Sequence, residues 1–313
     1  MYEKMEMRQV LCEVLDKLME KNEKIVVIDS DLGRANGTLP LHEKYPERAF
    51  DVGIAEQNMA AVAAGMAAYG FTPFINSFTP FASRRICDQV AISIVYAKRN
   101  VKIIGTDPGV SAELNGGTHM SMEDIGVLRS IAGLVIFEPV DAVQLAKALP
   151  VIAEYNGPVY IRMFRKAAPI FFQDDYEFDL FKADMLKEGK DVSIFATGIM
   201  VEEALKAADL LKADGIDAEI INIHTIKPID KEAVLRSARK TGAVVTCENH
   251  NVIGGLKSAV AEVLAEEYPV PIKGIGVQDH FGEVAKMDYL KKKYHMMAED
   301  IVKAAKAAIA MKR

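Results

Sequence analysis

Runs of branched aliphatic residues alternate down this chain with stretches of helical spacing. That alternation narrows the fold more than any other feature. Met7, Val10, Leu11, Val14, Leu15 and Leu18 repeat at the helical period. "KIVVID" then reads as a strand buried on both faces. "FTPFINSF" reads as a strand, residues 81–98 as a helix, "VKIIGT" as a strand and residues 107–120 as a glycine-rich loop. A short helix near 123–131, the strand "LVIFEP", a helix from Asp141 and the strand "VYIRMF" follow. The rhythm then fails over 165–191, "RKAAPIFFQDDYEFDLFKADMLKEGKD", and resumes. "VSIFAT", a helix over 201–213, "AEIINI", a helix from Asp230, "AVVTCE", a helix over 255–267, "IKGIGV" and a terminal helix complete it. Strands joined through helices predict an α/β fold of two domains, each a mostly parallel sheet flanked by helices. The boundaries fall at 1–165 and 191–313, with 166–190 as an interdomain connection on the surface.

Composition agrees with this and removes other classes. The chain has 313 residues, room for two domains, and half are hydrophobic, enough for two cores. Net charge is −6 without a basic stripe carrying aromatics, so nucleic acid is not an expected partner. No apolar run is long enough to span a bilayer, and the charged, helical start does not read as a signal peptide. Cys12, Cys87 and Cys247 are widely separated, which suits a reducing cytoplasm and a buried structural role for each.

Ligands of open α/β sheets bind beyond the carboxyl ends of the strands. Those ends carry Asp29, Asp31, Phe78, Asp107, Arg162 and Arg165, and His119 closes the loop "DPGVSAELNGGTH". The second half offers a thinner set, Thr197, His224 and Glu248. Glu56 raises a separate question, because it comes just before "AAVAAGMAAYG", a helical run with no polar face. Capping is one reading, since the helix dipole favours an acid in the first turn. The dry flank favours another: the helix should be buried all round, and an acid in a dry setting can share a proton with a ring nitrogen.

The ordered elements "DSDLG", "GIAEQNM", "NSFTPF", "LNGGTHMSMED", "FEPVDA", "PVYIRMFR", "ATGIMVEEAL", "ENHNVIGGL" and "DHFGE" resemble the transketolase family of thiamine-diphosphate enzymes. The match runs from Arg8 to the last helix. It implies a pyrimidine-binding domain followed by the family's C-terminal domain. By that resemblance Glu56 holds the aminopyrimidine nitrogen of thiamine diphosphate and is catalytic. Phe78 and Phe81 wall the pyrimidine pocket, and Asp31 approaches the cofactor from its strand end. His119 touches the sugar hydroxyls and relays a proton, and the Gly-Gly-Thr before it suggests a backbone close to a ligand. Arg8 and Arg165 match two arginines that hold a sugar phosphate.

Several positions depart from the family pattern. Arg84 stands where a third aromatic often lies, Ala35 replaces a serine and Asp107 a histidine of the phosphate site. Asn115 replaces an aspartate that reads hydroxyl stereochemistry. The two arginines favour a phosphorylated ketose, while an acid repels a phosphate dianion and leaves a different tail open. The family holds Mg2+ with a Gly-Asp-Gly motif, and no "GDG" occurs in this sequence. "GGLKSAV" reads as packing. The resemblance therefore implies the C-terminal subunit of a split transketolase. A separate N-terminal subunit would carry the diphosphate and Mg2+ ligands, in an α2β2 assembly built on a dimer core. Such an enzyme moves a two-carbon ketol unit from a ketose to an aldose, chemistry of the pentose phosphate pathway. Two rivals stay open: the β subunit of a 2-oxo acid dehydrogenase, and a non-catalytic α/β binding module. Deoxyxylulose phosphate synthase is a further relative, normally one long chain.

Overall fold

The computed structural model describes residue 2 and residues 5–312. These form two compact units. The first runs to Pro108 and resumes over Val127–Leu180, and the second holds Gly109–Gly126 and everything from Phe181.

In the first unit, β1 (Ile25–Asp29), β2 (Ala49–Asp51), β3 (Thr72–Phe78), β4 (Lys102–Thr106), β5 (Val135–Phe137) and β6 (Val159–Met163) lie side by side in the order β5-β6-β4-β3-β1-β2. Each of these pairings is parallel. Every residue of β1, β4, β5 and β6 is buried, so their unbroken apolar runs follow from cover on both faces. One cover is the helix Met7–Lys21, whose Val10, Leu11, Val14 and Leu15 pack in one core with Ile25, Val27 and Phe74. From β1 the chain goes outward to β2 and then returns to β3 on the other side of β1. That reversal opens the crevice in which such sheets bind ligands.

In the second unit, β7 (Asp184–Lys187), β8 (Val192–Ala196), β9 (Ala218–Asn222), β11 (Val244–Asn251) and β12 (Ile272–Val277) take the order β12-β11-β8-β9-β7, with a three-residue strand β10 (Thr225–Lys227) between β9 and β11 in sequence. β7 alone in this sheet pairs antiparallel, against β9. It lies inside the stretch expected to be an interdomain connection, whose earlier part packs on the first unit through Leu180 and through Phe178 against Phe137. Glu248 on β11 accepts the backbone N–H groups of Leu256 (2.6 Å) and Lys257 (2.9 Å) and so caps the helix Leu256–Glu267. A side chain at Gly255 would stand 1.9 Å from that carboxylate, which is the packing role of the glycine pair.

Four expectations need correction. The segment 81–98 is not one α-helix: a 3₁₀ turn (Arg84–Ile86) leads into a π-helix, Gln89–Tyr96. The helix Glu56–Ala68 is not buried all round. Met59, Ala60, Ala63 and Ala64 face the core, while Ala61, Gly65 and Ala68 are exposed, continuing into Tyr69 at 89 % exposure. Of the cysteines only Cys247 is buried; Cys12 and Cys87 are half-buried. Finally, the loop after β4 belongs with the second unit, not the first. Val110 N–H donates to Asn249 Oδ1 (2.9 Å), Asn251 N–H to the Met122 carbonyl (2.7 Å) and Met287 N–H to Glu113 (3.2 Å), and these bonds hold it there.

Candidate active site

The carboxyl ends of β1, β2, β3, β4 and β6 carry the candidate residues of the first unit. Between β2 and its helix, the turn 52–55 is pinned to the end of β1. Ser30 Oγ donates to the Gly53 carbonyl (2.6 Å) and accepts the Ala55 N–H (3.0 Å), and Val52 N–H donates to the Asp29 carbonyl (3.0 Å). Glu56 is thereby set at the first helical position, 4 % exposed, with its helix running away from the strand ends. No side-chain capping bond forms at this helix start. Instead Glu56 Oε1 accepts Arg85 Nη1 at 2.7 Å. Arg85 also lies over Phe81, its Cζ 3.8 Å from the ring centroid. Sequence reasoning missed Arg85 and watched Arg84, which is exposed. The signal was there: Arg85 follows Phe81 by four residues, one turn of helix-like chain.

Phe78 ends β3, and its ring centroid lies 6.2 Å from that of Phe81. Both rings are half-buried. Asp31 is exposed beyond β1 with φ +58, its N–H held by both carboxylate oxygens of Asp51 (3.0 and 2.9 Å). A left-handed backbone at a non-glycine residue is costly and is kept here by those bonds.

A second cluster forms around the Ala35 carbonyl. The parallel register sets Thr106 opposite Met163, so Asp107 and Arg165 emerge together. Arg165 Nε donates to Asp107 Oδ2 (2.5 Å), its Nη2 meets the same oxygen, and its backbone N–H bonds Asp107 Oδ1 (3.1 Å). Burial raises the Asp107 carboxyl above the usual carboxylate range, while Arg165 pulls it down. Arg8 joins because the helix start bonds back to the end of β6: Arg8 N–H donates to the Arg165 carbonyl (3.1 Å). Arg8 Nη1 and Arg165 Nη1 both donate to the Ala35 carbonyl (3.1 and 3.0 Å), and Arg8 Nε bonds Glu6 (2.7 Å). Gly37, with φ +87, lets this loop approach Arg8; a Cβ there would lie 2.8 Å from the Arg8 carbonyl. Arg165 also lies over Phe78, 4.8 Å from its centroid, which joins the two clusters.

Asn115 and His119 sit on the loop of the second unit. Asn115 is exposed; His119 is half-buried, its Nδ1 2.9 Å from Thr118 Oγ1. The glycines before His119 have a local cause: a Cβ at Gly117 would lie 2.3 Å from the Gly282 carbonyl. Packing thus accounts for Gly117 without a ligand, and His119 rests on the resemblance. Arg162 is fully buried in an ion pair with Glu138 (2.6 Å), which gives it a structural role. His224 bonds the Lys182 carbonyl (2.7 Å). Among the described residues, no group of three or more His, Cys, Asp or Glu could hold a metal ion, and no helix is long and apolar enough to cross a membrane.

The family models for the transketolase pyrimidine-binding domain and the transketolase C-terminal domain match residues 3–170 and 181–301. The chain belongs to the transketolase family. It is 54 % identical over 299 residues to a 6-deoxy-6-sulfo-D-fructose transketolase subunit, SqwH, of Clostridium sp. (strain MSTE9), covering 96 % of this chain and 93 % of that one. It is 41 % identical over 300 residues to a putative transketolase C-terminal section of Methanocaldococcus jannaschii, covering 95 % and 94 %. A solved structure described as a split gene transketolase, inactive beta4 tetramer, superposes with a TM-score of 0.92 at 44 % identity, covering 98 % and 99 %. These findings support a transketolase-type enzyme subunit over the 2-oxo acid dehydrogenase and binding-module readings.

Proposed function

We propose that this chain is the cofactor-activating half of a two-chain transketolase whose ketose donor ends in a singly charged anion, a sulfonate rather than a phosphate. The observation that carries this reading is the pairing of both tail arginines. Arg165 is already bonded to Asp107 and Arg8 to Glu6, so the four groups sum to no net charge. A guanidinium has five N–H donors. After its bonds to Asp107 and Ala35, Arg165 keeps one donor on Nη1 and one on Nη2 without a partner among the described residues. That edge can grip two oxygens of one anion. A phosphate dianion would meet Asp107 with twice the repulsion of a sulfonate. The relative named for a sulfo-sugar supports the same choice.

The residues present fit thiamine diphosphate. A flat, nitrogen-edged ring needs an aromatic face and a carboxylate; Phe81 and Glu56 offer both, and a flat guanidinium uses them here. When bound, the cofactor supplies the nucleophilic carbon that carries the two-carbon unit. Glu56 shares a proton with the ring nitrogen, Phe78 and Phe81 support the ring, and Asp31 borders it. His119 holds a donor hydroxyl and Asn115 reads hydroxyl stereochemistry. The partner subunit supplies Mg2+ and its ligands. The apolar face of Ala61, Gly65, Ala68 and Tyr69, with exposed Ile92 and Tyr96 on the neighbouring π-helix, forms the dimer core of an α2β2 enzyme in the cytoplasm.

The test is donor choice by the assembled enzyme, with ketoses matched except for sulfonate, phosphate or hydroxyl at the tail. The sulfonate should give the highest kcat/KM. A phosphate donor preferred by more than about tenfold, or roughly 1.4 kcal/mol, would overturn the tail assignment.

A further inference from the structure

Arg85 holds an unusual position for an arginine. Its Nη1 donates to Glu56 Oε1 at 2.7 Å and its plane lies over Phe81, Cζ 3.8 Å from the centroid. The same segment is tied to the helix start a second time, because Gln57 Nε2 donates to the Arg85 carbonyl (3.3 Å). The side chain of Glu56 is 5 % exposed and that of Arg85 42 % exposed. One partner is therefore fixed in the interior and the other has a path to water.

A guanidinium is flat, delocalised and edged with N–H donors, and it stacks on aromatic faces. An aminopyrimidine has the same attributes: a flat ring, an amino N–H and a ring nitrogen that faces a carboxylate. Both need the Phe81 face and the Glu56 oxygen, and the two cannot hold them together. We propose that Arg85 is a gate on this half-site. In the ligand-free chain it stands where the pyrimidine ring would lie and keeps Glu56 paired. Ligand entry turns the guanidinium outward and hands both contacts to the ring.

The physical need for such a residue follows from burial. A carboxylate removed from water without a partner is strongly unfavourable. Before its partner subunit and cofactor arrive, Glu56 would be such a group. Arg85 fills that interval, and because its own side chain is partly exposed it can leave at small desolvation cost. Cofactor binding then competes with an internal ion pair, which keeps the single chain closed. This rests on the reading of Glu56 and Phe81 as pyrimidine contacts.

The experiment compares wild type with Arg85→Met and Arg85→Lys. Calorimetry measures binding of 4-amino-2,5-dimethylpyrimidine to the full chain, and of thiamine diphosphate to the chain assembled with its partner subunit. Near-ultraviolet circular dichroism checks the fold of each variant. Arg85→Met removes both competing contacts and should bind the aminopyrimidine at least about tenfold more tightly than wild type, a gain that loss of a merely structural contact does not give. Arg85→Lys keeps the charge without the plane and should gain less. Unchanged or weaker binding by both variants overturns the gate, the second result making Arg85 a ligand of the bound ring instead. If Arg85→Met does not fold, Arg85→Lys decides by the same criterion. Failure of the wild-type assembly to bind thiamine diphosphate would refute the functional reading itself, whereas binding there without a gain in the variants refutes the gate alone.

Discussion

Replacing Asp107 with Asn isolates the charge argument, because the change keeps shape and removes one negative charge. The amide oxygen can still accept the Arg165 backbone N–H that Asp107 Oδ1 accepts at 3.1 Å. A tail anion gripped on the outer edge of Arg165 would lie across the guanidinium from Asp107, roughly 6–7 Å from its carboxylate. At an effective dielectric of about 20, each unit of tail charge there is repelled by ~2.5 kcal/mol. A sulfonate carries one such unit and a phosphate about one and a half to two. Asp107→Asn should therefore favour phosphate over sulfonate by about 1.3–2.5 kcal/mol, or roughly eightfold to seventyfold in the ratio of kcat/KM. Any loosening of Arg165 weakens both donors alike and cancels in that ratio. The assay is initial-rate ketol transfer by the assembled enzyme, with both donors measured at one pH. A ratio that moves by less than about twofold would refute the placement of the tail beside Arg165.

Glu56→Gln keeps the shape of the side chain and removes the proton it shares. Hydrogen–deuterium exchange at the thiazolium carbon in the assembled enzyme should slow by at least about a hundredfold, with much less loss of cofactor affinity; unchanged exchange would remove Glu56 from this role. Lys102 is fully buried, donates to the Tyr155 (2.6 Å) and Gly157 (2.8 Å) carbonyls, and has its pKa lowered by burial to about 7. Its unfolded value is about 10.4, so the unfolded chain binds the extra proton between those limits. This group makes stability rise from pH 7 toward 10.5, by up to ~1.4 kcal/mol per pH unit. Urea unfolding of Lys102→Met against wild type should show that rise lost, and parallel pH profiles would count against it. Tyr96→Glu places a charge on the exposed apolar face. Sedimentation should show self-association weakened, and an unchanged assembly would move the dimer core elsewhere.

Much of the fold was legible because burial on both faces writes itself as an unbroken apolar run. β1, β4 and β6 fall where "KIVVID", "VKIIGT" and "VYIRMF" stand. β7 was not legible: as an antiparallel edge strand it is only half-buried and reads "DMLK". The Asp107–Arg165 pair follows from β4–β6 register, which no local pattern states, although both residues were visible as strand-end groups. Arg85 was hidden because its partners are a ring one turn back and a carboxylate 29 residues away. The loop 109–126 looked like part of the first domain because it follows β4 in sequence. Its allegiance is decided by bonds to Asn249, Asn251 and Met287, more than a hundred residues on. The outer face of Glu56–Ala68 misled for a chemical reason, since small apolar residues read the same whether or not a core covers them.

The most direct test of the account is reconstitution. The purified chain, its partner subunit and their mixture are each supplied with thiamine diphosphate, Mg2+, a sulfonated ketose donor and an aldose acceptor, and two-carbon transfer is followed by the appearance of the shortened aldose. The account expects transfer only in the mixture. Robust transfer by this chain alone would contradict it.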